Sequence, residues 1–146
     1  MATSFNHWGE IANNLRPALK RVVRKTAKEI AAGAAIFAPV DTGFLQASIY
    51  VQTSTSSTYG KGGHVNMTPY QALHHDLLPE TEPPTDDLTA HVAVGASYGI
   101  YVEYGTRFMP AQPFFEPAVA LAQPVFDAEL KLIEPSLLGS ISVEEI

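Results

Sequence analysis

The chain has 146 residues, of which 46% are hydrophobic and only 16% charged; roughly 25% charged is usual, so one domain with a real core carries a thinly charged surface. There is no cysteine, which excludes a disulfide framework, a thiolate nucleophile and a Cys-based zinc site. The net charge of −6 is unevenly placed: residues 1–40 hold Arg16, Lys20, Arg21, Arg24, Lys25 and Lys28 against Glu10 and Glu29, giving +4, and the remainder holds Lys61, Arg107 and Lys131 against thirteen acids, giving −10.

Opposite-sign surfaces on one chain orient association. Residues 1–20 lack the basic-then-apolar pattern of a signal peptide. No run approaches the roughly 20 apolar residues of a membrane span. A soluble protein made in the cytoplasm is expected, with a single domain over residues 1–146.

In chain order, residues 6–38 predict one long amphipathic helix. Trp8, Ile11, Ala12, Leu15, Ala18, Leu19, Val22, Val23, Ile30 and Ala34 follow helical spacing. Ser4 or Asn6 offers an N-cap. Pro17 predicts a kink or break near residues 13–17, and Pro39 supplies the stop. Arg16, Lys20, Arg24 and Lys28 recur at every fourth position, forming a basic ridge.

Residues 45–57 alternate through Leu45, Ala47, Ile49 and Val51, the period of a half-buried strand. Residues 58–87 lose periodicity, collect Gly and Pro, and end in acids; they read as a long loop or arm, mobile until it meets a neighbour. Residues 88–96 alternate again through Leu88, Ala90, Val92 and Val94 and predict a second strand. Residues 97–106 predict one or two helical turns, with Ser97 as a cap and Gly105 ending them left-handed. A closing helix is expected over 113–134, with Pro113 at its first position and bends at Pro117 and Pro124. Its inward face would carry Phe114, Phe115, Ala118, Val119, Ala122, Val125, Phe126, Leu130 and Ile133. The tail at 135–146 has little to fix it. The sum is an α+β domain: a long N-terminal helix and a C-terminal helix packed on a small antiparallel β-sheet.

Three constellations bear on chemistry. Asp41-Thr42-Gly43 matches the triplet of aspartic peptidases, which need two carboxylates sharing one proton. One copy here follows Pro39 at a helix end, so the favoured reading is a structural turn in which Asp41 caps the next segment and Gly43 takes a shape other residues resist. His64, His74, His75, Asp76, Glu80, Asp86 and Asp87 cluster in the sequence, but adjacent histidines in extended chain point apart, and a solvated loop is favoured over a metal site. The basic ridge at Arg16, Lys20, Arg24 and Lys28 could contact DNA phosphates, yet the chain is acidic overall and an acidic partner is simpler. No cofactor is expected.

Two longer blocks are more specific. Ala38-Pro39-Val40-Asp41-Thr42-Gly43-Phe44-Leu45-Gln46-Ala47-Ser48-Ile49 resembles the first block of the bacteriophage tail-component family to which minor tail protein Z of lambda-like phages is related. Tyr98-Gly99-Ile100-Tyr101-Val102-Glu103-Tyr104-Gly105-Thr106, followed by Met109-Pro110-Ala111-Gln112-Pro113-Phe114-Phe115-Glu116-Pro117-Ala118, resembles the second. A basic, alanine-rich N-terminal helix and a closing helix opened by Gln-Pro-Phe are similar to the family as well. Gln46 and Glu116 depart from it, standing where these proteins often carry arginine.

The resemblance implies a non-enzymatic virion protein of the tail or neck, a tail-completion or head–tail joining subunit. It implies a homo-oligomeric ring, six copies matching the symmetry of a tail tube. Its neighbours would be head-closure, tail-terminator or tail-tube proteins, with DNA passing through the assembly. Tyr98, Tyr101 and Tyr104, three apart, with Glu103 and Arg107 beside them, have the composition of an interface core. At least one tyrosine is expected to fill the domain's own core. Gly105 would hold Glu103, Tyr104 and Arg107 at a sharp corner.

Overall fold

A computed structural model describes residues 8–40, 43–61 and 77–138. Helix α1 (Trp8–Phe37) is followed by the short helix α2 (Phe44–Ala47), strands β1 (Ile49–Thr53) and β2 (Ala90–Val94), the short helix α3 (Gly99–Tyr104) and helix α4 (Phe115–Leu138). β1 and β2 form a two-stranded antiparallel sheet, with Ile49 opposite Val94 and Thr53 opposite Ala90. The architecture is the expected α+β arrangement of two long helices over a small sheet. None of the described helices is long and apolar enough to cross a membrane.

α1 and α4 pack along each other, and α1 also covers the sheet. What lets the helices approach is small side chains: Ala27, Ala31, Ala34 and Ala35 on α1, Ala38 just past its end, and Ala118 and Ala122 on α4 are all buried. Gly33 lies directly against Ala118. Phe44, Leu45, Ile49, Val51, Val102 and Phe114 fill the space that remains. Several large residues expected on the inner faces are more exposed than these alanines, and Val119 and Val125 lie on the exposed side of α4.

α1 runs unbroken through Pro17, so of the kink or break expected near residues 13–17 the break is absent. The missing amide leaves the Asn13 carbonyl without its helical donor, but Asn13 and Pro17 are both exposed, so the carbonyl is not sealed from solvent. α4 likewise continues through Pro117 and Pro124; Pro124 and Ala120, four residues before it, are exposed. It also begins later than expected, at Phe115 and not Pro113.

The predicted strand at 45–57 is corrected at its start. Phe44–Ala47 closes a helical turn, in which the Ala47 amide donates to Gly43 O at 3.0 Å and that of Ser48 to Phe44 O at 2.9 Å. Only Ile49–Thr53 is a strand, and it is buried at every position rather than alternately. Ile49 and Val51 face the alanines of α1. The opposite face is covered by the end of the predicted arm: Gln52 Nε2 donates to Glu80 Oε1 (3.0 Å) and Thr81 O (2.9 Å), and the Thr81 amide donates to Tyr50 Oη (3.1 Å). Residues 77–87 are thus tied to their own domain, not kept for a neighbour. The middle of the arm and the residues from 139 onward lie outside the described residues.

Overpacking the seam should be costly. Ala34→Leu, at a fully buried position, is expected to lose about 1–3 kcal/mol of stability, while Ala120→Leu on the exposed face of α4 stays near wild type. Chemical denaturation of both variants checks this; equal midpoints would mean that the alanine seam does not set the helix spacing.

Candidate functional site

The segment that leaves β2 folds into a corner whose backbone is fixed almost entirely from within. The N-cap of α3 is Tyr98 and not the expected Ser97, and no side-chain bond caps it. It ends at Gly105, with φ 76° and ψ 176°. A Cβ there would fall 2.6 Å from the Ala111 amide nitrogen and 2.9 Å from Met109 O. Glycine is therefore required twice, by positive φ and by space, although the conformation is more extended than the expected left-handed helical one. The chain then turns tightly: the Thr106 amide donates to Met109 O (2.8 Å) and that of Gln112 to Val102 O (2.8 Å).

The carboxylate of Glu103 completes the corner. Its Oε2 accepts from the amides of Phe114 (2.8 Å) and Phe115 (2.9 Å), and its Oε1 accepts from the amide of Glu116 (2.9 Å). These are the otherwise unpaired N–H groups at the start of α4. Partial burial pushes this carboxyl upward, but the bonds from the Phe115, Phe114 and Glu116 amides outweigh it and hold it below the usual 4.5. Glu103, expected beside the tyrosines at an interface, spends its charge on α4.

Other side chains of the corner point outward. Tyr98 is 37% exposed, Tyr101 57%, Tyr104 76% and Phe108 84%. Arg107 stacks its guanidinium 4.4 Å from the centroid of the Phe108 ring. The expectation that one tyrosine fills the core is overturned: Val102 takes that inward position, and Tyr98 reaches only the edge, 6.1 Å from Phe44 between ring centroids. Steps of three residues drift around a helix, so the tyrosines do not share one side. Tyr104 borders a groove of about 460 Å³ with Ile100, Val94 and Phe115, and Tyr98 borders a hollow of about 250 Å³ with Pro39, Gly43 and Met109. Ile36 and Val40, near the second hollow in sequence, are exposed too. Sequence reasoning missed Ile100, Phe108, Ile36 and Val40 as surface residues, because apolar spacing alone does not separate inward from outward faces.

The remaining candidates fall elsewhere. Gly43 has φ 75°, the left-handed value expected of it; Asp41 and Thr42 lie outside the described residues. The basic ridge meets the chain's own acids: Arg16 Nη2 is 3.5 Å from Asp86 Oδ1, and Lys20 Nζ is 3.5 Å from Asp87 Oδ2. Arg24 donates to Thr55 Oγ1 at 3.0 Å, and Lys28 is exposed. A hydrogen bond from Ser54, joined by Lys20 and Arg16, holds Asp87 below its ordinary value. Such exposed pairs are screened by water and contribute little to stability. Among the described residues no group of three His, Cys, Asp or Glu could hold a metal ion. His64, His74, His75 and Asp76 lie outside them.

Comparison with known proteins returned one family. The profile described as "Bacteriophage HK97-gp10, putative tail-component" matches residues 9–105, from the start of α1 to the glycine that ends α3. No curated protein and no solved structure matches the chain.

Removing the Glu103 carboxylate should loosen α4. Glu103→Ala is expected to cost about 1–2 kcal/mol, the upper range for losing a helix cap. Because the folded carboxyl titrates below 4.5, its contribution is complete at neutral pH and is lost as pH falls through the lowered value. Denaturation of both proteins across this acid range should show the wild-type advantage shrinking as pH drops; an advantage independent of pH would contradict the assignment.

Proposed function

The chain belongs to the HK97 gp10-like family of bacteriophage tail components, a membership that makes it a structural protein of the virion, and from this premise we propose that it is a tail-completion or head–tail joining subunit that works by self-association. The observation that carries this reading is the corner at 98–108. Its backbone is locked by Gly105 and Glu103, yet it holds Tyr101, Tyr104 and Phe108 out to solvent. Rigid aromatic side chains beside an arginine are the residues that dominate protein interfaces. Holding them in place beforehand removes part of the ordering cost of association.

A subunit contact of ordinary stability covers about 1,200–2,000 Å², more than one such corner supplies. The exposed Leu121, Val125 and Leu132 of α4 offer further apolar area. A closed ring repeats one contact around its circle, and six copies would match a tail tube. Neighbouring head-closure, tail-terminator or tail-tube proteins are the remaining partners. A DNA-contacting role is less well supported, because Arg16 and Lys20 already face Asp86 and Asp87.

The test is a Tyr104→Ala, Arg107→Glu double variant. The folded monomer should survive, since both side chains are exposed, while the mass of the assembly falls and joined particles are lost. Unchanged particle yield would remove this surface from the account.

A further inference from the structure

β1 is closed on its outer side. Val51 donates its amide to Thr58 Oγ1 (2.9 Å) and its carbonyl accepts from the Thr58 amide (3.0 Å), both pointing away from β2. In an antiparallel pair the bonding direction alternates along each strand. Val92, opposite Val51, therefore turns its own amide and carbonyl away from β1, and so do Ala90 and Val94 two residues on either side. The next rung agrees: Gly95 donates inward to Ser48 O at 2.8 Å. No other described segment pairs with β2 as a strand.

This open edge is also the wall of the larger hollow. Val92, Ala93 and Val94 border the groove in succession, with Ile100 and Tyr104 across from them and Phe115 at the end. Two rungs, Val92 and Val94, with no strand partner among the described residues on this side, lie beside an apolar trough and fit one kind of ligand, an extended segment whose alternate side chains are apolar.

The three stretches outside the described residues that are long enough differ in this respect. Residues 1–7 have one large apolar side chain after Met1, and Pro69 interrupts 62–76. Residues 139–146, Gly-Ser-Ile-Ser-Val-Glu-Glu-Ile, alternate the β-branched Ile141 and Val143 with polar residues. They cannot serve their own groove. It lies at the start of α4, and the helix is 24 residues long, about 36 Å at 1.5 Å per residue. Residues 139–146 reach at most about 28 Å.

We propose that the open edge of β2 is a strand-docking site whose occupant is residues 141–146 of a second copy of the chain. Ile141 and Val143 enter the groove, and Ser142 and Glu144 face water. Two carboxylates border the groove, Glu103 and Glu116, and the oxygens of Glu103 are taken up by the α4 amides. One end of each subunit then meets the opposite end of the next, a head-to-tail contact that closes into a ring. The inference rests on self-association and names the contact that produces it.

Because the chain has no cysteine, the contact can be tested by cross-linking in full-length protein. An Ile100→Cys variant is mixed with a Val143→Cys variant and oxidised, with Ile100→Cys plus Ala2→Cys as the comparison. The expected result is a disulfide-linked dimer from the first mixture and little from the second. In a parallel sizing experiment, Val143→Pro should raise the concentration needed for assembly about tenfold or more, equivalent to about 1.4 kcal/mol, with the monomer's stability unchanged. Assembly that persists in Val143→Pro without the cross-link would overturn the docking site and leave self-association standing. A wild-type chain that stays monomeric would overturn both. A disulfide formed within one chain carrying both cysteines would overturn the exchange between copies.

Discussion

Three backbone amides at the start of α4 point at one carboxylate, and much of the domain's second half depends on that arrangement. The approach to the helix, Ala111-Gln112-Pro113-Phe114, contains no Ser, Thr, Asp or Asn to cap it. Unpaired amides would leave α4 free to fray where Phe114 enters the core. Glu103 supplies the acceptor from α3, across the turn that Gly105 makes possible. A negative charge at this end also meets the positive end of the helix dipole. The carboxylate thereby fixes α3 relative to α4, and with it the direction in which Tyr104, Arg107 and Phe108 project.

The two long helices supply the other constraint. Their seam is lined by alanine, so it contributes close approach more than apolar volume, and Phe44, Ile49 and Phe114 provide the bulk at its end. The sheet is too small to stand alone. It is sandwiched between α1 and the strap at 77–81, which satisfies Tyr50 and Gln52 on the buried outer face. Among the described residues, exposed large apolar side chains gather at the corner, on the outer face of α4 and at the end of α1. The proposed self-association draws on these exposed surfaces.

Much of this was legible in the residues. The spacing of α1, the alternation of β2 and the glycine after Tyr104 each point to the element found, because each rests on local geometry. The strand start failed because Leu45, Gln46 and Ala47 alternate in sequence yet close a helical turn; periodicity cannot separate a short turn from a strand. The alanines of α1 carried less weight than its larger residues, although their smallness is what the α4 contact selects. Glu103 was noticed for its neighbours and not for its bond, since its partners lie 11 to 13 residues ahead. A signal did exist: a helix that begins without a local cap must borrow one. The basic ridge was read as awaiting a partner, and Asp86 and Asp87 supply much of it through a fold that brings residues 70 apart together.

The central claim is that the Glu103 bonds hold the outward-facing corner in the form that associates. Amide hydrogen exchange at Phe114, Phe115 and Glu116, followed with the mass of the protein in solution, tests it most directly. In wild type at neutral pH the three amides should be protected and the protein assembled. In Glu103→Ala, protection at these amides should collapse and assembly weaken with it, while exchange within β1 stays slow. Unchanged protection at the three amides, or assembly undiminished after they open, would contradict the account.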